Sequence, residues 1–102
     1  MTPAFDLVVR GGTVVTDTDT VRCDVGVRDG RIAELGGNLG PAAREIDAAG
    51  LLVMPGGIDA HCHIDQQSSS GLMTADDFFT GGVSAACGGT TTIVPFAAQH
   101  WG

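Results

Sequence analysis

The chain has 102 residues, 12 acidic and 5 basic, for a formal net charge of -7. All five cations are arginines (Arg10, Arg22, Arg28, Arg31, Arg44), so these residues hold no P-loop, no Schiff-base lysine and no carbamylated lysine. An acidic chain without a basic cluster is a poor match for a phosphate backbone or an anionic membrane, and neither nucleic acid nor membrane is an expected partner.

The length allows one ordinary domain, since domains commonly run to about 100–150 residues. Residues 5–54 read as short strands punctuated by glycine turns. Phe5–Arg10 and Thr13–Thr16 flank Gly11-Gly12, a two-residue hairpin signal because primed turns need positive φ. Asp24–Arg28 and Arg31–Leu35 flank Asp29-Gly30, the favoured type I′ pair. After a loop over 36–41, Glu45–Asp47 and Leu51–Met54 are two further strands about Ala48-Ala49-Gly50. Residues 1–54 are thus expected to form a small antiparallel β domain with no visible chemistry.

The rhythm changes at Pro55-Gly56-Gly57. Residues 57–64 read as a strand and 66–71 as a polar loop. Thr74 is expected to open a helix over 74–87, with Asp76 and Asp77 in its first turn. Ala75, Phe78, Phe79, Val83 and Ala86 recur at helical steps, which makes Phe78 and Phe79 expected core residues. Gly88-Gly89 ends the helix, and Thr90–Val94 begins a β-branched strand over 90–96. A β-α-β order implies parallel strands joined by a crossover. A lone unit of this kind leaves both sheet edges and one face bare.

The chemistry concentrates at His61-x-His63. Side chains at i and i+2 on a strand share a face, so both imidazoles can meet one ion. Cys62 points the other way, as a packing residue. Two ligands do not complete a zinc site, and a bare H-x-H on a strand more often marks surface or hydrogen-bonded strand residues. No apolar run reaches the roughly 20 residues of a membrane helix, and without a basic and then an apolar stretch at Met1–Asp6 no signal peptide is expected. Cys23, Cys62 and Cys87 are odd in number and form no C-x-x-C pair, which favours a reducing cytoplasm.

The stretch Pro55-Gly56-Gly57-Ile58-Asp59-Ala60-His61-Cys62-His63 resembles the first-strand metal motif of the amidohydrolase superfamily, Pro-Gly-x-(Ile/Val)-Asp-x-His-x-His. Ala75–Phe78, Gly88–Ala97 and, upstream, Asp6–Val15 extend the resemblance in the expected order. They point to the cyclic-amidase branch, that of dihydropyrimidinase and D-hydantoinase. The resemblance implies an α/β architecture. Residues 1–54 would be the N-terminal part of a small β-sandwich-like domain. Residues 55–102 would start a metal-dependent (β/α)₈ TIM barrel, cut after its second strand.

It further implies two divalent ions, taken as zinc, that activate water for attack on a ring amide of a small cyclic substrate. The ring opens to an N-carbamoyl amino acid. His61 and His63 become metal ligands, and Asp59 a residue that orients them or their backbone. The family's other ligands are a carbamylated lysine, two more histidines and a proton-handling aspartate. None is assigned here, and His100 reads as a loop residue. The 102 residues therefore hold no catalytic group and are expected to be inactive alone.

Asp65 stands where the dihydroorotase branch has a substrate-binding arginine, which argues against that branch. The segment 66–73 occupies the position that gates the substrate's exocyclic group in the resembled enzymes. Leu72 and Met73 either contact substrate there or pack on the helix. A tetramer is the oligomer the family suggests. The alternatives are allantoinase or another amidohydrolase, a non-catalytic dihydropyrimidinase-like scaffold, or a self-sufficient small domain. An intact histidine pair argues against the scaffold.

Overall fold

A computed structural model describes residues 2–99. Contacts divide the chain into two compact units, Met1–Pro55 and Gly56–Gly102.

The first unit is a sheet of five strands: β1 (Phe5–Val15), β2 (Thr20–Arg28), β3 (Arg31–Gly36), β4 (Ala42–Asp47) and β5 (Leu52–Val53). Its order is β3-β2-β1-β4, with β5 also paired to β1. β2 runs antiparallel to β1 and β3, whereas β4 and β5 run parallel to β1. The sheet is therefore mixed, not antiparallel. β1 sits at its centre, and the segment after β3 returns the chain to pair on the far side of β1 in the same direction.

The Asp29-Gly30 turn forms as the sequence predicts, both residues having positive φ (52° and 71°). Gly11-Gly12 does not turn the chain. The two glycines lie inside one eleven-residue strand as a bulge, where the pairing with β2 slips between Val9 and Gly12. Gly11 takes φ 68° and turns its N–H onto Asp24 Oδ1 at 2.9 Å. Gly12 lets β5 come close, because a Cβ there would stand 2.5 Å from Val53 Cγ2. Phe5, Val8 and Leu39 form the core of this unit, with Val8 fully buried.

In the second unit β6 (Gly57–Cys62) and β7 (Thr90–Pro95) pair in parallel, joined through α1 (Phe78–Cys87). The helix begins four residues later than Thr74 suggests. Asp77 is its N-cap, accepting from the Thr80 N–H at 2.8 Å while Thr80 Oγ1 accepts from the Asp77 N–H. That hydrogen bond holds the Asp77 carboxyl below the usual carboxylate range. Thr74 closes the preceding loop instead: its Oγ1 accepts from Gln66 N–H and donates to the Asp76 carbonyl, both at 3.1 Å. Gly88 and Gly89 end the helix as expected.

Phe78 and Phe79 are not core residues here, being 56% and 78% exposed. The helix meets Ile64 through Gly81, its one buried residue, and two strands offer too narrow a face to cover the aromatic side chains. Among the described residues, no helix is long and apolar enough to cross a membrane.

Candidate metal centre

The site is built where β6 ends. A parallel partner puts the carboxyl ends of both strands side by side, with Cys62 opposite Pro95. The Phe96 N–H donates to the Cys62 carbonyl at 3.1 Å, so pairing continues one residue past β7. His61 lies on β6, and His63 follows just past its end. Their ring centroids are 5.5 Å apart, with the planes at 65°. Phe96 touches both: it stacks on His63 at 4.6 Å and 7°, and meets His61 edge-on at 4.7 Å. Cys62, between them in sequence, is half-buried.

Asp59 accepts the His61 N–H on Oδ1 at 3.0 Å, a bond within the strand that fixes the backbone carrying His61. His63 Nδ1 lies 2.7 Å from Gln66 Oε1. With the Gln66 carbonyl oxygen toward the ring, this contact matches a proton on Nδ1 and leaves Nε2 as the outward nitrogen. Gln66 in turn is tied down by Thr74 on both backbone sides, through its N–H to Thr74 Oγ1 and its carbonyl to the Thr74 N–H. Gln67 and Met73 pair beyond it, and Ser68 bonds Leu72, so the segment forms a closed loop. This loop and His63 line an open hollow of about 580 Å³. Leu72 and Met73 are on its wall, 71% and 58% exposed.

Two imidazoles on one tetrahedral ion, with metal–nitrogen bonds of about 2 Å, place their centroids roughly 5 Å apart. The observed separation fits that arrangement, and Nε2 of His63 is the ring nitrogen that Gln66 does not engage. Among the described residues, no cluster of three or more His, Cys, Asp or Glu side chains forms. His61 and His63 thus fit a divalent cation as two of its donors. His100 lies outside the described residues.

Sequence reading did not single out Phe96 or Gln66. Phe96 reaches the pair only through the parallel register of β6 and β7, which local pattern does not encode. Gln66 gave one usable signal, an amide three residues beyond a candidate ligand in a loop that must fold back.

Gly56, ahead of the site, has a steric role. A Cβ on Gly56 would stand 2.0 Å from Thr91 Oγ1 and 2.7 Å from Thr91 Cβ. Rotating the threonine side chain moves the first atom but not the second. Gly56→Ala is therefore expected to lower stability by about 1–3 kcal/mol, as overpacking does. Thr91→Gly in the same protein should restore part of that loss. Thermal midpoints of the two single variants and the double variant check this, and strict additivity would contradict it.

No family model matches the chain. It is 52% identical over 98 residues to a D-hydantoinase of Ralstonia pickettii, covering 96% of this chain and 21% of that protein. An allantoinase of Escherichia coli O1:K1 / APEC is 42% identical over 91 residues, 89% of this chain and 19% of the relative. A solved D-hydantoinase structure superposes with TM-score 0.89 at 51% identity, over 96% of this chain and 21% of its own. The chain spans about a fifth of the length of the curated relatives it matches. Over that span its sequence and fold are similar to those of D-hydantoinase-type amidohydrolases.

Proposed function

We propose that this chain, a homologue of the D-hydantoinases over nearly all its residues, is the N-terminal segment of a metal-dependent cyclic amidase. The enzyme would open dihydropyrimidines or 5-substituted hydantoins to N-carbamoyl amino acids. Residues 1–54 would belong to its β-sandwich-like domain and 55–102 would begin its (β/α)₈ barrel. The observation that carries this reading is the His61/His63 pair at the carboxyl end of β6, on a chain 52% identical to a D-hydantoinase. Active sites of such barrels lie at the carboxyl ends of the strands.

His61 and His63 would hold a divalent cation, taken as one of two zinc ions, with Asp59 fixing the His61 backbone. A cation bound there would polarise the scissile amide carbonyl and lower the pKa of water. Leu72 and Met73, on the wall of the open hollow, would meet the substrate's exocyclic group. The remaining ligands and the proton-handling carboxylate would come from chain beyond these residues, so the 102 residues alone would not turn over. Three free thiols among the described residues support a reducing, cytoplasmic setting. A tetramer is the assembly we propose.

Allantoin is the second substrate to consider, given 42% identity to an allantoinase. The test is ring opening by the complete, zinc- or manganese-loaded protein carrying this segment. Dihydrouracil and a 5-substituted hydantoin should be opened, and allantoin poorly. Preference for allantoin would move the assignment to the second substrate. No turnover of any of the three would reject the class.

A further inference from the structure

We infer that Gln66 is a positioning residue for His63: its side-chain carbonyl fixes the imidazole tautomer and ring plane, so that Nε2 is presented to the metal. This inference rests on the reading of His63 as a ligand. Three observations carry it. The His63 Nδ1 to Gln66 Oε1 contact is short, at 2.7 Å, and a carbonyl oxygen at that place selects the ring form with its proton on Nδ1. Gln66 is itself held, because Thr74 receives its N–H and donates to its carbonyl at 3.1 and 3.0 Å. Phe96 lies parallel to the His63 ring at 4.6 Å, which removes rotation out of that plane.

The imidazole is thereby held from its edge and from its face. An imidazole left free would sample both tautomers and several ring orientations, and binding a metal would have to select one of them. Partners on the second ring nitrogen are worth about 10–100-fold in metal affinity. Gln66 does this from the loop that lines the open hollow, so the loop and the ligand are set by one side chain.

The test uses the complete protein carrying this segment, stripped of metal, with zinc affinity read by chelator competition. Gln66→Met keeps the length of the side chain and removes the acceptor. It should weaken zinc binding about 10–100-fold. Gln66→Glu keeps the acceptor and should bind zinc within about threefold of the wild type, as the carboxylate–histidine–metal arrangement does. Unchanged thermal midpoints of the metal-free variants show that the fold is intact. Histidine-selective ¹⁵N spectra of the metal-free wild type should show His63 protonated on Nδ1, and Gln66→Met should shift it toward the other tautomer.

Wild-type affinity in Gln66→Met would overturn the inference, as would equal loss in Gln66→Glu. A wild-type His63 protonated on Nε2 would do the same. If His63→Ala binds zinc as the wild type does, the ligand reading fails and this one with it. That outcome is separate from a failure confined to Gln66.

Discussion

Replacing His61 or His63 by alanine is expected to cut the ring opening proposed for the complete protein on the order of a thousandfold or more. A catalytic metal supplies several kcal/mol of transition-state stabilisation, and each tenfold in rate is about 1.4 kcal/mol. On the proposed reading, either substitution would remove one of the two donors these residues offer to one cation. The two are also coupled through Phe96, whose ring touches both imidazoles at 4.7 and 4.6 Å. Loss of His61 therefore unseats an aromatic neighbour of His63 as well as removing a ligand, and the double variant should be little worse than either single one. Metal content after dialysis and turnover in excess zinc check this together. A variant that keeps its metal and more than a tenth of its rate would contradict the role given to that histidine. Phe96→Leu, which removes the stack but no donor, should weaken zinc binding far less than either alanine.

How much of this was legible in the sequence depends on the range of the interaction. Asp29-Gly30 speaks through φ, which is local, and turns as the sequence predicts. The strand expected over 57–64 instead ends at Cys62, so His61 lies on it and His63 just beyond, their rings 5.5 Å apart. Gly11-Gly12 speaks through the same positive φ, but a bulge uses that conformation as readily as a hairpin does. What decides between them is Asp24, thirteen residues away, receiving the Gly11 N–H. The parallel placement of β4 beside β1 has no local signature, because a strand's residues do not encode the direction of its neighbour.

The helix start was open to a better reading. Asp77 and Thr80 stand at capping-box spacing, and that reciprocal pair outweighs a lone Thr74. The stripe through Phe78 and Phe79 marks a face that favours burial, but it does not say what covers that face. In these residues two strands do not. At the candidate site the histidine pair was legible and the residues that hold it were not. Gln66 and Phe96 meet His63 only after the loop has closed and the parallel ladder has formed.

Asp24→Ala is expected to cost about 3 kcal/mol, a large share of a total that is commonly 5–15 kcal/mol. Asp24 is buried and satisfies three donors at once: the bulge N–H of Gly11 at 2.9 Å, the N–H of Leu39 at 3.1 Å and Arg10 at 3.2 Å. Arg10 then reaches the carbonyls of Leu39 and Gly40 and the carboxylate of Glu45. One carboxylate thus ties the bulge of β1 to the segment between β3 and β4, next to Leu39 of the core.

Alanine strands both backbone donors, whereas Asp24→Asn keeps one acceptor and should cost less. The Gly11 hydrogen bond holds the Asp24 carboxyl below its ordinary range, and Arg10 does the same for Glu45. Folded values below the unfolded ones, about 4, mean that this stabilisation is complete above that pH and is lost as pH falls through the folded values. Urea midpoints should therefore drop below about pH 4 in the wild type, and less steeply in Asp24→Asn. Amide exchange at Gly11 and Leu39 should accelerate together in Asp24→Ala. Exchange that quickens at only one of them would mean that the carboxylate does not join the two segments.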